Sequence, residues 1–191
     1  MLEFDHIAIA ARNLEEGAAW LHERLGAVLQ AGGKHPQLGT HNMLLSLGAR
    51  EYLELIAMDP DSGPITGPGW FGLKDFDASP CIAGWVLRQS PLEADTATTV
   101  AEVSRGDLRW RITLPKSGQM PGSGTIPMRI DWGNGPHPAD HLPHHGFRLT
   151  GLDVQCPERL VMPVSDSRIR VSVGAPGFTA RIATPRGEVV L

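Results

Sequence analysis

Two runs of alternating apolar residues, Thr40–Leu47 and Tyr52–Ala57, are separated only by Gly48-Ala49-Arg50-Glu51. So short a turn between period-two segments makes an antiparallel hairpin the expected local fold. Met43, Leu45 and Leu47 share one parity, as do Leu53, Leu55 and Ala57, so each strand offers an apolar face. The opposite faces carry Asn42, Leu44 and Ser46, and Tyr52, Glu54 and Ile56.

Upstream, Leu2–Ala10 alternates as a strand, with Phe4, His6, Ala8 and Ala10 on one side and Asp5, Ile7 and Ile9 on the other. Asn13 with Glu16 resembles a capping box, Leu14, Ala18, Leu21 and Leu25 form a helical stripe, and Gly26 ends it. Ala27–Ala31 then reads as a short strand entering the Gly32-Gly33 turn. The order is strand, helix, three strands. With the helix covering Ile7 and Ile9, the side of the sheet away from it carries His6, Asn42 and Glu54. If that side is enclosed, the imidazole and carboxylate need partners to offset their desolvation.

The second half is less regular. Asp59–Pro80 is rich in Gly and Pro and reads as a crossover connection anchored by Trp70 and Phe71. A strand at Ile82–Arg88, a helix from about Pro91 to Val103, and strands at Leu108–Leu114 and Ile126–Trp132 are expected. A loop rich in Pro and His (His137, His141, His144, His145) leads to strands at Phe147–Cys156, Ile169–Val173, Phe178–Ala183 and Glu188–Leu191. Laying Ile7 and Ile9 on Leu152 and Val154 sets Gly151 opposite His6 and Val190 nearest Glu54, so a repeat in this register lacks both polar groups. The expected organisation is a first module over 1–58, a connection over 59–80 and an irregular second module over 81–191, within one compact domain.

A chain of 191 residues is long enough to enclose a cleft. Its net charge of −4, without a basic run, gives no electrostatic reason to bind nucleic acid or an anionic membrane. No window approaches the roughly 18 apolar residues of a membrane span, and the N-terminus has no leader pattern, so a cytoplasmic protein is expected. Cys81 and Cys156 have no metal-like spacing and read as reduced thiols. No phosphate loop, nucleophile elbow or Cys-X-X-Cys pair occurs, which argues against nucleotide hydrolysis, serine hydrolase chemistry and zinc ribbons.

The DHIAIA opening, Leu25-Gly26-Ala27, the stretch GGKHPQLGTHNMLLSLG followed by EYLELIAMDP, IPMRIDW at Ile126–Trp132, the His137-Pro138 pair and the closing TPRGEVVL together resemble the glyoxalase-like domain family of the vicinal oxygen chelate superfamily. The resemblance implies an α+β fold of paired β-α-β-β-β modules, with curled mixed sheets around a cleft and helices outside. Metal-using relatives take ligands from the first and fourth strands of each module, positions that match His6 and Glu54. These two residues are therefore candidates to hold a divalent metal (Zn, Mn, Fe, Co or Ni) or, with no metal as an equal alternative, to act as a catalytic acid–base pair. An ion pair from Glu54 to Arg109 or Arg111 is the structural alternative. His35 and Asn42 are candidates to orient substrate, Arg109 and Trp132 to line the cleft, and His137 stands out from its loop by its His-Pro context. The implied activity is that of a lyase, isomerase or dioxygenase on a small oxygenated metabolite. The alternative is a metal-free protein that sequesters a small molecule, as bleomycin-resistance relatives do. A small-molecule partner and a homodimer are expected.

Overall fold

The computed structural model describes residues 2–64, 70–160 and 165–191. Residues 65–69 of the Gly/Pro-rich connection lie outside the described residues. The chain begins with β1 (Glu3–Ala10), α1 (Leu14–Leu25), β2 (Gln30–His35), β3 (Thr40–Gly48) and β4 (Glu51–Met58). A 3-10 segment, Trp70–Asp75, precedes β5 (Cys81–Arg88), β6 (Thr98–Arg105), β7 (Leu108–Pro115) and β8 (Met128–Asp131). The chain closes with β9 (Arg148–Cys156), β10 (Ile169–Val173), β11 (Gly177–Thr184) and β12 (Gly187–Val190).

Eight strands form one curled mixed sheet in the order β2-β3-β4-β1-β5-β8-β7-β6. Its seam is the antiparallel pairing of β1 with β5, in which His6 faces Val86 and Ile7 faces Trp85. On its other edge β1 runs parallel to β4, with Ala8 opposite Glu54. The β3–β4 hairpin forms over the short turn, with Leu44 opposite Glu54.

Both faces of the sheet's central strands, β4, β1 and β5, are buried. On the outer face Ile7, Ile9, Leu45, Leu53 and Leu55 pack with Leu21 and Leu25 of α1. The inner face encloses Ala8, Tyr52, Ile56, Val86, Ile112, Met128 and Ile130 with Trp70, Trp110 and Trp132. Burial on two sides is why β1 runs apolar without a break from Ile7 to Ala10; each large side chain so buried contributes about 1.5–3 kcal/mol. Helix α1 starts where its cap predicts, with Asn13 Oδ1 accepting from the Glu16 N–H at 2.8 Å, and ends on left-handed Gly26. Gly17 lets it lie close to the sheet, because a Cβ there would stand 2.2 Å from Leu55 Cδ1.

Gly32 and Gly33 form no turn but lie inside β2, where Gly33 pairs with Asn42. Two expectations about the second half also fail. The helix from Pro91 to Val103 is absent: Asp95 Oδ1 instead accepts from the N–H groups of Ala97 and Thr98, a tight side-chain turn that launches β6. Thr98, Thr99, Val100 and Val103 are β-branched and suit that strand. The second failure is the repeat placed on Leu152 and Val154. Strands β9 to β12 form a separate sheet ordered β10-β9-β11-β12, in which Gly151 and Val190 both pair with Arg181. Leu149, Leu152, Val154, Ala180 and Ile182 press this sheet onto the outer core. Sharing an alternating pattern with β1 was not enough to share its place, since a period of two repeats in every half-buried strand. Among the described residues, no helix is long and apolar enough to cross a membrane.

Candidate functional site

The site starts from an irregularity in β1. Phe4 pairs with Leu87 and His6 with Val86, so Asp5 is left as an extra residue in the ladder. Such a bulge reverses side-chain parity across it. Phe4 consequently packs in the outer core with Ile7 and Ile9, rather than beside His6 as strict alternation predicts. Asp5, fully buried, turns its carboxylate to an inner-face tryptophan: its Oδ2 accepts from Trp132 Nε1 at 3.1 Å, His137 Nε2 at 3.2 Å and Arg88 Nη1 at 3.0 Å. Its Oδ1 lies 2.7 Å from His6 Nδ1.

His6 is thus gripped on one nitrogen and open on the other. Its ring stacks on Tyr52 with centroids 4.4 Å apart, and its Nε2 stands 3.5 Å from Glu54 Oε2. Neither of those two atoms has a hydrogen-bond partner, although His6 is 2% and Glu54 3% exposed. The other Glu54 oxygen accepts from Asn42 Nδ2 at 2.5 Å. Asn42 Oδ1 accepts in turn from Arg105 Nη1 at 2.8 Å, and the same nitrogen lies 3.4 Å from His35 Nε2. Because a guanidinium only donates, His35 Nε2 is the acceptor there, and its Nδ1–H donates to Thr40 Oγ1 at 3.0 Å.

Charge follows these contacts. Burial alone would push Asp5 up, but hydrogen bonds from His137 and His6 overcome it and hold the carboxyl well below the usual range. Burial also opposes charge on His6, yet the hydrogen bond to Asp5 and the ion pair with Glu54 carry its pKa to about 9. Glu54 is lowered, since its closeness to His6 outweighs its desolvation. At neutral pH the site therefore holds an imidazolium between two carboxylates. His35, with burial dominating, falls to about 4 and is uncharged.

The Gly-Gly pair of the sequence motif makes room for this network. A Cβ on Gly32 would lie 1.9 Å from Asn42 Oδ1, and one on Gly33 would lie 2.8 Å from the Arg105 stem. Above the open atoms, Trp70, Trp110, Trp132 and Ile130 leave about 10 Å³ open to the centre of a water molecule, room for roughly one water.

Of the residues singled out in the sequence, His6, Glu54, His35, Asn42 and Trp132 come together around this cavity. His137 is buried behind it as a support: its Nδ1 accepts from the Ala139 N–H and its Nε2–H serves Asp5. Arg109 is exposed and lines a wider groove of about 500 Å³ with Arg111 and Asp131, apart from His6 and Glu54. The ion pair from Glu54 to Arg109 or Arg111 does not form; Arg111 pairs with Asp131 at 2.7 Å and Glu54 turns to Asn42 and His6. Sequence reasoning missed Asp5, Arg105, Tyr52 and Trp70 as parts of the site. The alternation of β6 through Val103 up to the Gly106-Asp107 turn was the available signal for Arg105, and the helix expected over that stretch hid it.

The same geometry tests the metal expectation. His6 Nε2 and Glu54 Oε2 are two free donors of the right chemistry. Catalytic metals are usually held by three protein ligands, and among the described residues no group of three or more His, Cys, Asp or Glu is arranged to hold one. Asp5 is already engaged by four donors, and the inner faces of β5 and β8 offer Val86, Met128 and Ile130. The donor set does not fit a resident metal.

No curated protein matches the chain in sequence. Among solved structures, a hypothetical protein from Staphylococcus aureus is similar at a TM-score of 0.56 and 14% identity, over 100% of this chain and 84% of that one. Methylmalonyl-CoA epimerase from Mycobacterium tuberculosis gives 0.47 and 19%, over 70% of this chain and 89% of that one. At such identities the first likeness speaks to the fold alone, and the second falls too low in structural agreement to add to it. The sequence profile of the glyoxalase-like domain matches residues 4–162, and by that match, which spans the whole eight-stranded sheet and its cleft, the protein belongs to the glyoxalase-like domain family of the vicinal oxygen chelate superfamily.

Proposed function

We propose that this protein is an enzyme of isomerase or lyase type that moves a proton beside the carbonyl of a small oxygenated metabolite. Glu54 is the base and His6 the acid. One observation carries this reading: His6 Nε2 and Glu54 Oε2 are buried, make no hydrogen bond and face each other as an ion pair at 3.5 Å. Leaving buried polar atoms unsatisfied costs stability, and such atoms commonly mark a site that a ligand completes.

Each neighbour then has a task. Asn42 holds Glu54 Oε1, so that Oε2 presents its lone pair to the substrate. Asp5 holds His6 Nδ1, which keeps the imidazolium charged and aims its Nε2–H at a carbonyl oxygen. Glu54 takes the hydrogen from the adjacent carbon while the imidazolium bonds to the oxygen gaining negative charge. A substrate lying between the two side chains also weakens their mutual attraction, which raises the basicity of Glu54 as it binds. The tryptophan walls keep bulk water out and so strengthen these interactions. The reading routes no step through a metal, because two donors fall short of a ligand set.

The test is exchange of α-hydrogens into D2O, followed by proton NMR for a panel of small carbonyl compounds. Wild-type protein should catalyse exchange of at least one, and Glu54→Gln should abolish it. If no compound exchanges while several bind, the proton-transfer reading fails. The outcome would then favour a protein that sequesters a small molecule, a reading supported by the apolar half of the cleft and its aromatic walls.

A further inference from the structure

We propose that the ligand of this site is a small carbonyl compound bearing a carboxylate, and that Arg105 together with the indole N–H groups of Trp70 and Trp110 receives the anionic end. This inference rests on the proton-transfer reading for the role of the carbonyl, but its own basis is the balance of donors and acceptors around the cavity.

The balance is lopsided. The buried atoms without partners at the cavity are Glu54 Oε2 on the acceptor side and His6 Nε2, Trp70 Nε1 and Trp110 Nε1 on the donor side. Arg105 adds a guanidinium of which, among the described residues, only Nη1 is engaged, and only by the neutral groups Asn42 and His35. Its condition is unlike that of the other part-buried arginines among the described residues. Arg88 pairs with Glu3 and Asp5, Arg111 with Asp131, Arg129 with Asp95, and Arg168 with Glu51 and Asp166. Among the described residues, Arg105 forms no ion pair.

A part-buried guanidinium with no counter-ion among the described residues, lining the same cavity as two unsatisfied indole N–H groups, suits an acceptor-only group with several lone pairs. A carboxylate is the small group that fits, since it can take two N–H bonds from the guanidinium fork and still accept from an indole. The opposite end of the cavity has the complementary character, with one acceptor on Glu54 for a C–H proton and one donor on His6 for a carbonyl oxygen. A 2-oxo carboxylate places all of these groups within one small molecule. The glycine pair agrees with this demand, because only a residue without a side chain at positions 32 and 33 lets Arg105 reach Asn42 from the far side of the cleft. Room for a single water means that entry displaces a wall. Trp70 is the wall carried on a 3-10 segment rather than on a strand of the ladder.

Isothermal titration of pyruvate, 2-oxobutanoate and phenylpyruvate, each beside its methyl ester, tests the proposal on the full chain. At least one acid should bind better than its ester. Arg105→Gln should weaken that acid about tenfold to a hundredfold and leave the ester unchanged, as expected for losing charge-assisted hydrogen bonds. Trp110→Phe keeps the ring, loses the N–H and should weaken the acid several-fold. Arg105 is part-exposed, and circular dichroism of Arg105→Gln and Arg105→Lys checks that both fold. Equal binding of acid and ester, acid binding indifferent to Arg105→Gln, or no binding of any acid each overturns the ligand class. Arg105-dependent binding without α-hydrogen exchange leaves the ligand class standing and overturns the proton-transfer reading. Exchange on the neutral ester that ignores Arg105→Gln does the reverse.

Discussion

The two halves of the eight-stranded sheet meet along β1 and β5, yet their inner faces are chemically opposite. Strands β1 and β4 present His6, Tyr52 and Glu54 to the cleft; β5 and β8 present Val86, Met128 and Ile130. The reacting groups are supported within their own half by Asp5 from the bulge and Asn42 from β3, and across the cleft by Arg105 from β6. The apolar half contributes dryness, with Trp110 and Trp132 closing over the charges. One half supplies reacting groups, and the other supplies the low-dielectric surroundings in which those groups act strongly.

That division can be broken in stages. The largest effect is expected from emptying the polar half of its reacting atoms: Glu54→Gln or His6→Gln should lower α-hydrogen exchange by about 10²–10⁴-fold, the usual worth of a positioned acid or base, with the folded structure retained by circular dichroism. Asp5→Asn comes next. It leaves His6 and Arg88 without their buried carboxylate, and loss of one member of a buried charge network costs about 3–5 kcal/mol, which a urea titration would register as a lower midpoint.

A smaller loss follows from narrowing the passage between the halves. Gly32→Ala brings a methyl group onto Asn42 Oδ1, and overpacking of this kind costs about 1–3 kcal/mol; it should also weaken 2-oxo acid binding by uncoupling Arg105. In the apolar half, Val86→Ala should cost a comparable or smaller amount in the same urea titration and leave exchange active, because Val86, although it pairs with His6, brings no polar group to the site. A loss of exchange there as deep as that of Glu54→Gln would break the division between the halves.

The subtlest test uses pH. The His6 pKa rises from 6.5 to about 9 on folding, so between these values the folded chain binds a proton that the unfolded chain releases. Its contribution is fully present below 6.5 and is lost as pH rises through about 9. Melting temperature should fall across this window in wild type, and the His6→Gln variant should lose that part of the slope. An unchanged slope would mean that His6 is not charged in its cage.

How much of this was legible in the sequence varies residue by residue. The β3–β4 hairpin, the Asn13 cap and the Gly26 stop were readable because each is decided within a few residues by periodicity, capping and turn chemistry. The shared face of His6, Asn42 and Glu54 followed from the same alternation. Asp5 was misplaced because one bulged residue reverses parity and leaves no mark in composition. The helix expected from Pro91 was misread because Leu92, Thr96, Val100 and Val103 mimic helical spacing in a stretch that from Thr98 onward pairs as a strand with β7.

By itself, then, the sequence determined the strand–helix–strand order of the first part and the parity that gathers His6 and Glu54 on one side. Only the tertiary structure decided that β5, rather than β9, pairs with β1, that Arg105 arrives beside Asn42 from 63 residues away, and that tryptophans dry the space above them. The physical reason is the range of the forces involved. Local periods and caps are written in neighbouring residues, whereas strand pairing and desolvation are set by which distant segments exclude water together.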